Sequence, residues 1–310
     1  MSDRTIDTTP DGAIGLVGLG QMGLPICQRL ATSFDVVAFD ISDERRAMAA
    51  GERVSVTDDV GTIASLHTVV LSLPSPQISR RVVQDLAGLV SAGTLVIETS
   101  TVLPEDVREW AQLLEPAGAR VIDAAVLSGV AQMESGRASL LVGGAEDDLN
   151  AARDVLETLG SGGVTRFGPL GTGMAAKVVN NGVAHAVMVV LVEAFAMAER
   201  EGVQLADIAD MLNREDGGLQ RPLNHRVMER IARSEFDGGM PLEAARKDST
   251  LALAMAQRSG VPLFAIQAAQ SVYDIARSRG LGREDYSAVA RLWEEWTGHT
   301  LTFGGTGDDR

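Results

Sequence analysis

A chain of 310 residues, 45% hydrophobic and 22% charged, is long enough for two packed domains and ordinary for a soluble globular enzyme. Its net charge of −15 and pI of about 4.7 set up a field that opposes nucleic acid and anionic membranes as partners, while a few local cations still suffice for a small anionic substrate. The single cysteine, Cys27, excludes an intramolecular disulfide and fits a reducing, cytoplasmic compartment.

In chain order, residues 1–11 lack the apolar core of a signal peptide and are expected to form a disordered tail. The runs AIGLVG, DVVAFD, TVVLSL, TLVIET and ARVIDA are near-continuously apolar, as strands buried on both faces of a parallel sheet are. Helical patterns at Glu44–Ala50, Pro76–Val90 and Pro104–Pro116 separate them, the last two opening on a proline that the first helical turn tolerates. Two more strands are expected at Ser139–Val142 and Val164–Phe167, with a helix over about Asp147–Leu159 between them. This alternation predicts an α/β Rossmann-type domain over residues 12–170, a doubly wound parallel sheet.

After the turn residues GPLGTG (168–173) the strand signals stop, and an all-α C-terminal domain is expected over 171–298. Its helices fall at Thr172 to about Glu201, Leu205–Asn213, Gln220–Arg233, Leu242–Gly260, Pro262–Arg279 and Asp285–Thr297. A flexible Gly-rich tail closes the chain at 299–310. In the first of these helices Val178, Val179, Val183, Val187, Val190, Leu191 and Phe195 cover every face, which demands cover from the same subunit or from a second copy. The apolar run Val183–Phe195 is short for a bilayer span and is interrupted by His185 and Glu193, the histidine reading as a satisfied core residue.

Gly18-Leu19-Gly20-Gln21-Met22-Gly23 follows a strand and opens a helix, the setting in which GxGxxG carries a dinucleotide. The first glycine permits the turn, the second lets backbone approach a pyrophosphate, and the third packs helix on strand. Asp40 ends the next strand, 20 residues after Gly20, where a carboxylate accepts from both ribose hydroxyls and repels a 2′-phosphate. No arginine follows before Arg45. NAD rather than NADP is therefore expected; a glycine turn without a ligand is the alternative.

Lys177 and Asn181 lie four apart on the long helix and project from one face. A lysine beside a dry cleft has its pKa lowered by desolvation, and it then accepts a hydroxyl proton as hydride leaves the same carbon. A surface lysine beside an asparagine pair is the competing reading. Ser128-Gly129-Val130 leaves a strand at the sheet's carboxyl edge, where a hydroxyl and free amides suit a carboxylate. Lys247-Asp248 alone reads as a charged pair on a solvated face. Four histidines and no Cys/His cluster at ligand spacing leave no metal site expected.

Together GLGQMGLP (18–25), DAAVLSGVAQMESGRASLLVGG (123–144), GTGMAAKVVNN (171–181) and KDSTLALA (247–254) resemble the β-hydroxyacid dehydrogenase family, part of the 6-phosphogluconate dehydrogenase superfamily, from about Ile14 to Ala290. The family includes 3-hydroxyisobutyrate and tartronate-semialdehyde enzymes. The resemblance implies Lys177 as catalytic lysine, Asn181 as substrate contact, and Ser128 and Gly129 as carboxylate-binding pair. It also implies cofactor contacts at Leu73, Pro74 and Thr101, with Lys247 near the nicotinamide, and a homodimer or homotetramer around the long helix. The expected reaction is NAD-dependent oxidation of a small 3-hydroxy acid. Val130 departs from the pattern, standing where a second glycine is usual, and a branched side chain there is expected to reshape the substrate pocket. The stretch Glu215–Pro222 also departs from the pattern; Arg221 and Arg226 are candidate substrate-side cations, with surface arginines the favoured reading. An imine reductase of the same architecture is the rival enzyme, opposed by Lys177; a non-catalytic NAD-binding scaffold is the rival of another class.

Overall fold

The computed structural model describes residues 12–303, so the tail expected at 1–11 and the last part of the C-terminal tail lie outside the described residues. The chain divides into two compact units, up to Gly182 and from Val183 onward. The first unit runs β1 (Ile14–Val17), α1 (Gly23–Leu30), β2 (Val36–Phe39), α2 (Asp43–Ala49), β3 (Val54–Thr57), α3 (Val60–Ala64), β4 (Thr68–Leu71), α4 (Pro76–Ala87), β5 (Leu95–Glu98) and α5 (Pro104–Leu114). It continues with β6 (Arg120–Val126), α6 (Val130–Glu134), β7 (Ser139–Gly143), α7 (Glu146–Ala151), α8 (Arg153–Leu159) and β8 (Gly163–Gly168). Then α9 (Thr172–Arg200) begins, and it belongs to both units.

The strands form one sheet in the order β3-β2-β1-β4-β5-β6-β7-β8. The neighbours from β3 to β6 pair in parallel, β7 runs antiparallel to β6, and β8 is parallel to β7. The last two strands thus reverse the direction that a wholly parallel sheet would give them. Alternate residues feed opposite faces: Leu16, Ile97 and Ile122 enter one core cluster, and Val17, Val96 and Val121 the other. Such two-sided burial is why the strands read as continuous apolar runs. The edge strand β3 was not among the expected strands, because it is half-exposed and its sequence VSVT carries no such run. The helix expected over Asp147–Leu159 is two helices meeting at Ala152.

The second unit contains the C-terminal part of α9 with α10 (Leu205–Asn213), α11 (Leu242–Ser259), α12 (Ala265–Ser278) and α13 (Ala290–Thr297). The helix expected at Gln220–Arg233 is instead a π-helical turn, Pro222–Val227, and a short 3-10 turn, Ile231–Arg233. There Arg226 and Arg230 both aim at the fully buried Asp285, at 3.2 and 3.7 Å. Arg226 is therefore a buried structural cation, not the surface arginine its sequence context suggests. Asp285 also accepts the Met240 and Ser287 amides, each at 3.0 Å, and the Ser287 hydroxyl at 2.6 Å. Glu193 of α9 holds the start of α12 by accepting the amides of Phe264, Ala265 and Ile266 at 2.5, 2.9 and 3.0 Å. Three unsatisfied donors of a helix N-terminus are met by one carboxylate.

Candidate active site

β1 lies between β2 and β4, so the chain reverses its direction of travel across the sheet there, and a crevice opens at the carboxyl ends of β1 and β4. Gly18 takes φ +98°, and a Cβ on it would fall onto the Ser72 carbonyl; one on Gly23 would fall onto the Gly18 carbonyl. A Cβ on Gly20 would meet nothing within 4 Å. Two glycines are thus forced by packing, while the third leaves open space where a pyrophosphate needs backbone within reach. The cavity there measures about 490 Å³ and is lined by the glycines, Gln21, Met22, Asp40, Ile41, Leu73 and Pro74. Leu19 contributes its backbone only: its side chain is buried in the core and its amide donates to Asp40 Oδ2 at 2.7 Å. The Ser42 amide donates to Oδ1 at 2.9 Å, so the carboxylate is fixed in direction with lone pairs remaining for ribose hydroxyls. Arg46, the cation nearest in sequence that the structure brings to Asp40, is taken up by the Asp40 carbonyl and the Asp43 carboxylate, both at 2.5 Å. The residues present fit NAD.

A second cavity of about 270 Å³ adjoins the first and shares Met22, Ser72, Leu73 and Pro74 with it. Its other walls are Thr99, Ser100, Thr101, Val126, Ser128 and Lys177. The Ser128 hydroxyl accepts the Ser139 amide at 3.0 Å, which leaves its own O–H to donate into the cavity. Lys177, half-buried on the second turn of α9, makes no ion pair with any described residue, and burial lowers its pKa. Asp123, midway along β6, supports the start of α9, the helix that carries Lys177. That carboxylate accepts the Gly171 and Met174 amides at 2.6 and 2.7 Å, capping α9, while burial pushes its pKa up. A Cβ on Gly173 would crowd Asp123 Oδ2, at 2.8 Å, and the Leu141 carbonyl, so this glycine is required where the helix start sits on the carboxylate.

The structure brings together Lys177, Ser128, Leu73, Pro74 and Thr101, and it leaves Gly129, Val130 and Asn181 off the cavity wall. Gly129 takes φ −79° and caps α6, a conformation open to any residue, and Val130 is the first helical residue behind it, 37% exposed. The valine therefore does not narrow the space around Lys177, contrary to the expectation from its departure from the family pattern. Asn181, one turn beyond Lys177, is half-buried. His185 is exposed and not a core histidine. Lys247 belongs to the second unit, on α11, with its side chain 65% exposed and its ammonium 2.9 Å from Asp248. Cys27 is buried, with its thiol pushed up to about 11, and so is no nucleophile. Sequence reasoning missed Ser100 and the buried acids Glu98 and Asp123; the signal was a carboxylate closing the apolar run LVIE and another inside the apolar run VIDAAV.

Residues 13–168 match the family described as the NAD binding domain of 6-phosphogluconate dehydrogenase, and residues 171–293 match the NAD-binding family of NADP-dependent 3-hydroxyisobutyrate dehydrogenase. The chain is 28% identical over 296 residues to 2-(hydroxymethyl)glutarate dehydrogenase of Eubacterium barkeri, covering 94% of this chain and 98% of that one. It is 30% identical over 298 residues to the mitochondrial 3-hydroxyisobutyrate dehydrogenase of Drosophila melanogaster, with 93% and 92% covered. It is 29% identical over 301 residues to the NAD-dependent L-serine dehydrogenase of Pseudomonas aeruginosa, with 92% and 99% covered. Among solved structures, the 3-hydroxyisobutyrate dehydrogenase of Mycobacterium tuberculosis with L-serine is similar at a TM-score of 0.63 and 29% identity, covering 92% of this chain and 99% of that one. An imine reductase from Pseudomonas sp. shares the fold at a TM-score of 0.82 and 18% identity, with 92% and 100% covered.

Proposed function

The chain belongs to the β-hydroxyacid dehydrogenase family and is an NAD-dependent oxidoreductase of the hydroxyacid dehydrogenase kind, and from that premise we propose that it oxidises a small 3-hydroxy acid, reversibly, with Lys177 as general acid and base. The observation that carries this reading is the cavity in which an unpaired, partly desolvated lysine shares the Ser72-Leu73-Pro74 wall with the dinucleotide crevice. Bound NAD supplies the hydride acceptor. Lys177 in its neutral form takes the hydroxyl proton onto Nζ during oxidation and returns it in the reverse direction; the lowered pKa raises the fraction ready to do so. Ser128 donates its O–H to the substrate's carboxylate or hydroxyl. Asn181 and Gly129 carry substrate roles, and Lys247 a cofactor role, only through the family resemblance.

The test is NADH formation against a panel containing both enantiomers of 3-hydroxyisobutyrate, L-serine, 2-(hydroxymethyl)glutarate and glycerate, with NAD and NADP compared. Turnover of one or two members with NAD, lost in Lys177→Ala while NAD binding persists, is the expected result. Cyclic-imine reduction that survives Lys177→Ala would replace this reading with an imine reductase, and NAD binding without any turnover would leave a scaffold.

Oligomerisation through α9 belongs to the same proposal. Val179, Val183, Met188 and Val192 are each 60% or more exposed on this helix, a surface too apolar to face water as a monomer. By length and composition the 29-residue helix also meets the requirement for a bilayer span, which the Val183–Phe195 run alone does not. Glu193, bound to the α12 amides, and Lys177, Asn180, Asn181 and His185 on the same helix favour cover by a second copy. Light scattering of detergent-free protein checks this: a dimer or tetramer, with Val183→Glu shifting it to monomer, supports a soluble cytoplasmic enzyme. Protein confined to the membrane fraction would overturn it.

A further inference from the structure

The wall shared by the two cavities begins where β4 leaves the sheet. The Ser72 amide still donates to the Val17 carbonyl of β1 at 2.9 Å, and the Thr99 amide donates to the Leu71 carbonyl of β4 at 3.0 Å. The next amide on the β5 side is that of Leu73, and it goes to a side chain, donating to the Ser100 hydroxyl at 2.7 Å. Ser100 thus closes the last rung of the ladder, where an amide turned away from water is costly to leave open. The serine is buried and gripped at both polar ends. Its amide donates to Glu98 Oε1 at 2.7 Å, and its hydroxyl keeps its own hydrogen for the same carboxyl. Oε1 accepts whether or not Oε2 carries a proton, so the grip does not depend on the ionisation of Glu98. On its other side the wall abuts the dinucleotide turn. A Cβ on Gly18 would fall onto the Ser72 carbonyl and lie 3.1 Å from the Leu73 side chain, and one on Gly23 would lie 3.5 Å from Ser72 Cβ.

We propose that Ser100 is a positioning residue for the cofactor: its hydroxyl holds the Leu73 amide and so sets the Ser72-Leu73-Pro74 wall against the Gly18 turn at the spacing the dinucleotide needs. The wall is wedged between two fixed bodies, the glycine turn of β1 and the serine that follows β5, and both cavities open on it. Ser100 also lines the second cavity, yet its role there differs from that of Ser128. The Ser128 hydroxyl accepts an amide and keeps its O–H for the cavity, whereas the Ser100 hydroxyl spends its hydrogen on Glu98 and has no donor left for a substrate. Two serines in one cavity therefore divide the work, Ser128 facing the substrate and Ser100 facing the wall.

Only the nicotinamide cofactor is involved, not the substrate or Lys177. The experiment is equilibrium NADH binding by fluorescence at pH 7 on the full chain, with thermal unfolding recorded alongside, for the parent, Ser100→Ala, Ser100→Cys and Thr94→Val. Cysteine fills the serine's space with a poor acceptor. Thr94 is buried just ahead of β5 and its hydroxyl donates to the Leu66 carbonyl at 3.5 Å, so Thr94→Val removes a buried hydroxyl from the opposite end of the same strand. Ser100→Ala and Ser100→Cys are each expected to weaken NADH binding about tenfold, as the loss of one hydrogen bond to a buried amide. Thr94→Val is expected to lower the unfolding midpoint and leave the affinity where it was. A folded Ser100→Ala that binds like the parent overturns the proposal, because water then serves the Leu73 amide equally well. Parent-like binding by Ser100→Cys overturns it as well, since filled space and not the hydrogen bond would then hold the wall. Equal weakening in Thr94→Val would show that stability alone sets the affinity. If Ser100→Ala does not fold, the cysteine variant decides. A parent that binds no NADH overturns the cofactor reading and this proposal with it, whereas the variant outcomes overturn the proposal alone.

Discussion

Among the described residues, the first unit buries Glu98 and Asp123 and the second buries Glu193 and Asp285. All four receive backbone amides, yet the two units use them differently. Glu193 meets three amides of one helix start, and these outweigh burial, so its pKa falls below the ordinary carboxylate value. Asp123 and Glu98 meet fewer well-aligned donors, and for both burial wins and the pKa rises. Asp285 adds two arginines to its amides. The second unit spends its buried charges on fixing helices to one another. In the first unit they sit in register across β5 and β6, one beneath the first turn of α9 and one behind the cofactor wall. A buried acid with too few donors is poorly compensated, and here one of them, Glu98, lies one contact from the cavity wall through Ser100.

The largest effect expected is on Lys177 itself, which rests on the first unit's side of this contrast. Lys177→Ala should cut turnover by about 10²–10⁴-fold with NAD affinity nearly unchanged, read by steady-state kinetics and NADH titration. Asp123→Ala strips the acceptor from two buried amides and should cost on the order of 4 kcal/mol in denaturant unfolding. An unfolding midpoint unmoved by that change would mean that water replaces the carboxylate and α9 is held elsewhere. Glu98, raised from 4.5 to about 8, binds a proton in the folded state that the unfolded chain has released. Its contribution is complete below pH 4.5 and is lost as pH rises through 8, on the order of 5 kcal/mol across that window. Glu98→Gln should flatten this decline in thermal unfolding. Glu193 carries the opposite sign: its contribution is present above the ordinary value and lost as pH falls through its lowered folded pKa. Glu193→Gln should cost about 1–2 kcal/mol at pH 7 and nothing in acid, where wild type and variant converge. Smallest of all, Val130→Gly should alter kcat/KM by less than about threefold, because glycine in an exposed first turn costs roughly 1 kcal/mol at most and the side chain lies off the cavity.

Much of the fold was legible because the sheet is covered on both faces. Six strands announced themselves as apolar runs, the exposed edge strand β8 showed only its short VTRF stretch, and α9 and α10 were bounded nearly to the residue. β3 escaped because an edge strand needs little hydrophobicity, and the turn at Pro222–Val227 because its shape answers to Asp285, some sixty residues away in the chain. The dinucleotide motif was legible for a similar reason: Gly18 and Gly23 are dictated by contacts a few residues away, and local sterics leave a local signature.

By itself, then, the amino-acid sequence determined the two-part α/β-then-α architecture, the glycine turn with Asp40, and the placing of Lys177 and Asn181 on one helix, all of which follow from short-range periodicity and backbone sterics. Tertiary structure alone decided that Lys177 shares a wall with the cofactor crevice, that Val130 stands aside, that Arg226 is buried, and that Glu98 and Asp123 lie side by side across β5 and β6. Those outcomes depend on desolvation and on pairs far apart in the chain, and neither leaves a pattern along the residues that the chain could show before it folds.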